Sequence, residues 1–261
     1  MSSSTAALVW SKRAAIVFAA LALVACGSTP EKSAGGPAGS WAGRPLGTPP
    51  SAQRGIKRAM ISRAEREWEF FGRQTVVYRA TEESIPHVGS WEDDGRVYSD
   101  RVNLYWRAVG KPGLDGMDCR EPWSAAFISW VMQSAGVPST QFRPASAHAV
   151  YLADLIDQAP YPGRWFVPRR IQDYSPEPGD LICASRGFSR PGGFDGYTSP
   201  SLLAGTNTHC DLVVAKSGAT LEAIGGNVRN SVSRSSQELD GQGHLRPTAR
   251  RPWFVIMQNR L

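Results

Sequence analysis

The chain has 261 residues, a formal net charge of +6 and 41% hydrophobic residues, which suits one domain with a sizeable core plus a tail. The positive excess is small and dispersed, so the composition does not indicate a nucleic-acid-binding protein. No internal repeat is visible, and no apolar run beyond residue 25 is long enough to span a bilayer.

The first 25 residues carry the pattern of a bacterial lipoprotein signal peptide. Lys12 and Arg13 form a positive region, and residues 14–22 supply an apolar stretch too short for a stable transmembrane helix. The run LVAC that follows matches the bacterial lipobox, in which cleavage leaves the cysteine as a lipidated first residue. The sequence therefore predicts a signal peptide over 1–25 and lipidation at Cys26. An ordinary signal peptide or a short anchor helix is the alternative.

The segment that follows, 26–51, is rich in Gly, Pro, Ser and Ala and poor in large aliphatic residues. Such a composition cannot bury enough surface to offset the entropy of ordering, so we predict a flexible tether behind the lipidated cysteine. Gly27, rather than an aspartate, follows Cys26, which favours transport to the outer membrane. We therefore expect a cell-envelope protein held by lipid chains on the periplasmic face of the outer membrane.

Four helices are predicted in the first half of the domain at 52–261. Apolar residues recur at helical spacing, and the best segment, PWSAAFISWVMQSAG, has Pro122 in its first turn and Gly136 at its end. Residues 81–96 and 111–121 are polar and contain Gly and Pro, so they are predicted loops. The predicted helices cover Ala52–Gly72, Val97–Val109, Pro122–Gly136 and Ser146–Asp157.

Beyond Pro178 the pattern changes to short β-prone runs bounded by Gly, Pro and Asn. Helices followed by antiparallel strands predict an α+β domain, with helices packed on a small antiparallel β-sheet. The Gly-rich stretch 185–208 is a long loop of the kind that is usually functional or mobile. The predicted strands are 181–183, 212–215, 220–224, 228–233 and 253–257.

Three segments carry residues suited to nucleophilic catalysis. Ser124 lies in the first turn of a buried helix, where the helix dipole and free N–H groups favour a nucleophile. His209 begins the strand HCDLVVA, and a histidine fixed opposite that helix end can act as general base. Asn227 follows two glycines in IGGN, where an amide can hold the tautomer and orientation of the histidine. Each residue also has an ordinary structural use, as a helix-end hydroxyl, a buried histidine and a turn asparagine.

The same segments resemble a known family. They are similar to the CHAP and NlpC/P60 superfamily of papain-like peptidoglycan hydrolases, and within it to the DUF2272 group, through the runs PWSAAFISWVMQSAG, PGD, HCDLVVA and IGGNVRNSV in that order. The resemblance covers about residues 55–258. It implies a papain-like α+β fold, with the family's nucleophile at Ser124, its histidine at His209 and its third polar residue at Asn227.

The nucleophile position departs from the family. The resemblance implies a cysteine there, and this chain has Ser124. A cysteine is intrinsically nucleophilic, whereas a serine hydroxyl needs an aligned base and oxyanion donors. Two interpretations stay open: a working serine hydrolase, or a domain that has lost catalysis and kept binding.

Other residues are accessory candidates. His148, in the predicted fourth helix, is a candidate second base in the same groove or a packing residue. Cys119 precedes the helix and is an alternative nucleophile, although its position fits the nucleophile register poorly. The tryptophans Trp91, Trp106 and Trp123 can line the cleft or pack in the core.

Three cysteines remain in an oxidising compartment once the first is lipidated. Cys183 and Cys210 begin neighbouring predicted strands on either side of the long loop, so a disulfide between them is expected. Cys119 would then be the free thiol. A zinc site formed by both strand cysteines with His209 and Asp211 is the alternative, but no metal-ligand spacing supports it, and we predict neither metal nor cofactor.

The sequence therefore predicts a lipid-anchored protein that hydrolyses amide bonds in the peptide part of peptidoglycan. Ser124 would attack, His209 would accept and return the proton, and Asn227 would orient the histidine, with helix N–H groups holding the oxyanion. The alternatives are a catalytically inactive lipoprotein that binds cell-wall peptides or a partner in the same groove, and a serine esterase or acyltransferase. Peptidoglycan and, through Cys26, the lipid membrane are the expected partners, with no nucleic acid.

Overall fold

The computed structural model describes residues 50–79, 81–186, 200–203 and 205–261. The predicted signal peptide, Cys26 and nearly all of the predicted tether lie outside these residues, as does most of the predicted loop at 185–208. Within the described ranges, no helix is both long enough and apolar enough to cross a membrane.

Four α-helices and eight strands make up the described part of the chain, which confirms the α+β class. The helices are α1 (Pro50–Phe70), α2 (Arg96–Ala108), α3 (Ser124–Ser134) and α4 (His148–Gln158), with a 3-10 turn at Pro200–Leu203. The strands are β1 (Thr75–Arg79), β2 (Glu82–His87), β3 (Phe166–Arg169), β4 (Leu181–Ser185), β5 (Thr208–Ser217), β6 (Thr220–Val228), β7 (Ser231–Glu238) and β8 (Trp253–Asn259). All four predicted helices are present, with ends shifted by two residues at most.

The strands form one sheet in the order β2-β1-β7-β6-β5-β4-β8-β3. Neighbouring strands are antiparallel except β1 and β7, which run parallel. The sheet is therefore mixed, and larger than the small antiparallel sheet that the sequence indicated. The predicted strands at 181–183, 212–215, 220–224 and 253–257 lie within β4, β5, β6 and β8, whereas the one at 228–233 spans the turn from β6 into β7. Strands β4 to β8 form the contiguous middle of the sheet.

The three strands that the sequence did not indicate lie toward the two edges of this sheet. β2 falls in the predicted loop at 81–96, and every one of its side chains except Glu83 is exposed. It therefore lacks the alternation of buried and exposed residues that marks a strand, and it contains Pro86, which edge strands tolerate. β3 is only four residues long and contains Pro168, so it gives no pattern either.

Helix α3 is the most buried helix of the domain and positions the candidate site. It packs against β5 and β6 of the sheet and against α1 and α2. Its first residue is Ser124, two residues later than predicted, with Trp123 as the N-cap. Gly136 follows its end with φ +90°, a left-handed conformation that glycine adopts without strain. The candidate nucleophile is thus the first residue of a helix whose body is fixed in the core.

Aromatic rings fill the core between the helices and the sheet. The ring of Tyr105 lies 5.5 Å from that of Trp123 and 5.3 Å from that of Phe127. Trp106 and Trp123 are each 1% exposed, whereas Trp91 is 47% exposed. Of the three tryptophans considered for a cleft, two therefore serve core packing.

A disulfide joins Cys183 on β4 to Cys210 on β5, which are direct cross-strand partners. This is the pair expected from the sequence, and it ties the two strands together beside His209. Cys119 is free and exposed. The disulfide leaves no thiolate for the alternative zinc site, and among the described residues no group of three or more His, Cys, Asp or Glu is placed to hold a metal ion.

Candidate active site

Ser124 occupies a buried helix start with unused backbone donors. Its side chain is 3% exposed at the first position of α3. The carbonyl of Trp123 accepts the first hydrogen bond of the helix, from the amide of Phe127, so the preceding first-turn amides are outside the helical ladder. These amides and the helix dipole favour negative charge at this position.

The hydroxyl of Ser124 is hydrogen-bonded to a histidine from another helix. Its Oγ lies 2.7 Å from Nε2 of His148, the first residue of α4. On the other side of the imidazole, Nδ1 lies 2.5 Å from the hydroxyl of Tyr151, one turn further along α4. The three side chains form a hydrogen-bonded chain of serine, imidazole and phenol.

His148 is neutral in this environment. Burial lowers its pKa well below the usual 6.5, and the neighbouring His209 and Arg186 lower it further. A neutral imidazole has one ring proton, and its other nitrogen can accept. When Nδ1 carries that proton and donates it to the oxygen of Tyr151, Nε2 is free to accept the proton of Ser124.

His209 lies on β5 and is held by two charged side chains, an aspartate and an arginine. Its Nε2 lies 2.6 Å from Oδ1 of Asp211, and its Nδ1 lies 3.3 Å from the guanidinium of Arg186. A guanidinium can only donate, so Nδ1 accepts and Nε2 carries the ring proton. Burial lowers the pKa of His209 to about 4, although Asp211 opposes this. Burial raises the pKa of Asp211, but the charges of His209 and Arg251 outweigh it and bring that pKa to about 2.

The two imidazoles are neighbours, with ring centroids 5.2 Å apart. The sequence placed His209 against Ser124 as its base, with His148 as an accessory. In the described structure the hydrogen bond of Ser124 goes to His148 instead, because the first residue of α4 reaches the start of α3. His209 forms its hydrogen bonds with Asp211 and Arg186.

Asn227 does not orient His209 in this structure. Its Nδ2 donates to Oε2 of Glu92 at 2.8 Å, and the indole N–H of Trp123 donates to the same oxygen. Glu92 is 1% exposed, and burial raises its pKa. Asn227 has φ +54°, so it also serves the turn that its sequence context suggested. It acts on the site indirectly, because Glu92 holds the residue that immediately precedes the candidate nucleophile.

The two glycines of IGGN allow a close approach of β6 to the site. A Cβ at Gly225 would lie 1.8 Å from Oδ1 of Asp211 and 3.1 Å from Nε2 of His209. A Cβ at Gly226 would lie 2.5 Å from Cβ of Phe127 on α3. Glycine is therefore required at both positions by space.

A cavity of about 300 Å³ opens onto Ser124 and His148. It lies between the starts of α3 and α4, and Arg186 forms part of its wall. Cys119 is not among its lining residues, and the sulfur lies near backbone carbonyls of its own loop. The remaining lining residues are Pro122, Ala125, Ser146, Ala147, Ala149, Thr206, Asn207 and Thr208.

Sequence reasoning did not single out Tyr151 or Arg186, and it considered Asp211 only as a metal ligand. Two of these residues carry a local signal. Tyr151 follows His148 by three residues, which places both on one face of a helix. Asp211 follows His209 by two residues, which places both on one face of a strand. Arg186 reaches the site through tertiary structure and has no such signal.

The fold and the site together define an α+β protein with a buried serine–histidine pair at the meeting point of two helix starts. The chain belongs to the family described as "Uncharacterized protein conserved in bacteria (DUF2272)", which matches residues 93–259. The match confirms the DUF2272 assignment made from the sequence and spans all the site residues except Glu92. Searches of curated proteins and of solved structures gave no significant match.

Proposed function

We propose that this protein is a serine hydrolase of amide bonds, with Ser124 as the nucleophile and His148 as the general base. The observation that carries the proposal is the 2.7 Å hydrogen bond between Oγ of the serine and Nε2 of the histidine at the buried start of α3. A nucleophile within hydrogen-bond reach of a base that is itself oriented by a third group is the arrangement such catalysis needs. Tyr151 is the third group.

In the proposed reaction, Oγ of Ser124 attacks the substrate carbonyl while its proton passes to Nε2 of His148. First-turn amides of α3 hold the oxyanion, and Ala125, whose amide is one of them, lines the cavity. His148 returns the proton to the leaving nitrogen, which departs as an amine. Water, deprotonated by the same imidazole, then hydrolyses the ester on Ser124 and regenerates the hydroxyl.

We also propose that the architecture is papain-like. In such an arrangement the nucleophile begins a buried helix that faces a histidine on a neighbouring strand. Here α3 packs against β5, which carries His209 and Asp211. This pair occupies the place that the family resemblance gives to the catalytic histidine. We assign the pair of His209 and Asp211 a supporting role, since the ring of His209 lies beside the ring of His148.

The substrate class and the location rest on the sequence. The lipobox at Cys26 and the tether to residue 51 support a membrane-anchored domain that stands off the lipid surface. The similarity to peptidoglycan hydrolases supports an amide in the peptide part of peptidoglycan as the bond cleaved. A cavity of about 300 Å³ is within the size range of small-molecule sites and suits a short stretch of peptide.

A second candidate function, peptide binding without turnover, is favoured by the electrostatics of the histidine. Catalysis through His148 must form an imidazolium, yet burial and nearby positive charges lower the pKa of this residue well below its usual value. Its partner Tyr151 is a phenol whose pKa burial raises, so it brings no negative charge. Such a site can hold a cell-wall peptide or a partner in the cavity and leave it intact.

Digestion of isolated peptidoglycan, with released fragments identified by mass spectrometry, tests the proposal. Ser124→Ala and His148→Asn remove the two reacting groups, and Ser134→Ala at the other end of α3 is the matched control. We expect fragments from the parent and from the control, none from Ser124→Ala, and at least about 100-fold fewer from His148→Asn. Equal release by the parent and Ser124→Ala would refute the serine mechanism.

Two further results would direct the assignment elsewhere. Silence from every form, with the parent still sedimenting with the cell wall, establishes the binding function. Ser124→Cys then separates a groove reshaped for binding from an intact site, because an intact site gains hydrolysis when a stronger nucleophile is supplied. Turnover of a simple ester that is lost in Ser124→Ala, without wall fragments, identifies a serine esterase or acyltransferase.

A further inference from the structure

A second cavity, of about 360 Å³, lies beside the serine cavity. It is enclosed by the end of β4, the turn between β6 and β7, β1 and the segment that precedes β8. We call it the arginine cavity, because four arginines line it. Its lining includes Tyr78, Glu83 and the arginines Arg186, Arg229, Arg250 and Arg251.

The positive charges of this cavity exceed its negative charges. Glu83 is its one lining carboxylate, and it is already paired with Arg229 through two hydrogen bonds of 2.6 and 2.7 Å. Arg186, Arg250 and Arg251 remain, and no carboxylate among the lining residues forms a hydrogen bond with them. Three guanidinium groups therefore share a space in which no lining carboxylate of the described residues is left to pair with them.

Arg251 is a fixed and preformed donor at this cavity. It is 7% exposed, and its guanidinium donates to the hydroxyl of Tyr78 at 3.0 Å and stacks 5.0 Å above the same ring. A guanidinium has five N–H donors, and this phenol takes one of them. Asp211, which is not among the lining residues, offsets part of the charge of Arg251 without a hydrogen bond to it. Burial of a cation with donors to spare is the arrangement of an anion site.

Arg186 connects this cavity to the chemistry of Ser124. Its side chain lines both cavities and reaches Nδ1 of His209 at 3.3 Å. A group bound to the guanidinium of Arg186 would thus be separated from a peptide in the serine cavity only by the Arg186 side chain. A substrate that fills both cavities must carry its anionic group close to the bond that is cleaved.

We propose that the arginine cavity binds a carboxylate of the substrate and selects peptides with an acidic residue next to the scissile amide. The selection of a substrate for cleavage rests on the proposed function, whereas the binding of a carboxylate in the arginine cavity does not depend on it. The planar fork of a guanidinium matches the two oxygens of a carboxylate, which favours this anion on geometric grounds. A carboxylate at Arg186 would also offset one of the positive charges that, after burial, lower the pKa of His148.

Binding is tested with two synthetic peptides by isothermal titration calorimetry. One is an N-acetylated, C-amidated tripeptide with a central glutamate, and the other has glutamine in its place, so the pair differs by one carboxylate. The Ser124→Ala form of the full protein is used, so that no peptide is cleaved during the titration. We expect the acidic peptide to bind at least about tenfold more tightly than the amide.

Arg186→Gln and Arg250→Gln each remove one charge at exposed positions of the cavity, and Arg246→Gln removes the same charge outside it. The first two should each reduce the preference for the acidic peptide by about tenfold, and the third should leave it unchanged. Equal binding of the two peptides, or the same loss in Arg246→Gln, overturns the proposal. The absence of saturable binding of the acidic peptide overturns it as well.

The activity of the parent on the same peptide pair separates this inference from the proposed function. Cleavage of both peptides at equal rates refutes the selection of a carboxylate and retains the hydrolase. Tight and carboxylate-dependent binding without cleavage retains the arginine cavity and refutes the hydrolase. Preferential cleavage of the acidic peptide, lost in Arg250→Gln, supports both.

Discussion

Replacing Gly225 by alanine tests how closely β6 must approach the buried histidine. The added Cβ would lie 1.8 Å from Oδ1 of Asp211 and 3.1 Å from Nε2 of His209. Both of these side chains are 0% exposed, so neither can turn toward solvent to make room. The methyl group must displace the carboxylate, break its 2.6 Å hydrogen bond to the imidazole, or push β6 away from β5.

The cost follows from two contributions. Overpacking of a well-filled core costs about 1–3 kcal/mol. Loss of a buried hydrogen bond to a charged group costs about 1.5–3 kcal/mol. Gly225→Ala should therefore lower the free energy of unfolding by about 2.5–6 kcal/mol, a large part of the roughly 5–15 kcal/mol that holds a typical domain together.

Urea unfolding of Gly225→Ala beside Gly241→Ala measures this cost. Nothing lies within 4 Å of a Cβ at Gly241, so that variant should stay within about 0.5 kcal/mol of the parent. The midpoint of Gly225→Ala should fall while the slope of the transition stays constant. Equal midpoints for the two variants would refute the close approach of β6 to the carboxylate.

Three further perturbations have expected outcomes. Tyr151→Phe removes the hydrogen-bond partner of Nδ1 of His148, so we expect about 1–3 kcal/mol of destabilisation and, if the site is catalytic, a lower kcat for wall digestion with little change in KM. The pKa of His209 is lowered to about 4 in the folded protein, so the unfolded chain binds more protons between about pH 6.5 and pH 4. This group should therefore reduce the free energy of unfolding by about 3 kcal/mol as the pH falls through that range. A free energy of unfolding that stays constant over this range, measured with urea, would contradict the prediction. Reduction of the disulfide between Cys183 and Cys210, which closes a separation of 27 residues, should cost about 2–4 kcal/mol, measured as a shift of the urea midpoint with and without a thiol reductant.

Local patterns in the sequence were sufficient for much of the domain. The helical spacing of apolar residues, with Gly136 as a stop, located α3 and placed Ser124 in its first turn, because these signals depend on neighbours within a few residues. The central strands were found for the same reason, since β4 and β5 are buried along most of their length and contain the continuous apolar runs 181–184 and 212–215. The pairing of Cys183 with Cys210 followed from their places on neighbouring strands at either side of the long loop.

Tertiary structure decided which side chains meet, and it did so against the expectation for two residues. His148 rather than His209 contacts Ser124 because the first residues of two helices converge, and no local pattern encodes how α4 docks on α3. Asn227 bonds Glu92, which lies far away in the sequence, so its expected place beside the histidine goes to Asp211.

The edges of the sheet and the arginine cavity were equally beyond local inference. β2 is exposed along nearly its whole length, so burial left no period in its sequence. Arg186 and Arg251 are separated by 65 residues and share one cavity only because β4 and β8 pair. The sequence by itself determined the four helices, the central strands, the helix that presents the serine and the family, since these depend on short-range order. The partner of the serine and the charge around it depend on contacts between distant segments, which only the packed fold brings together.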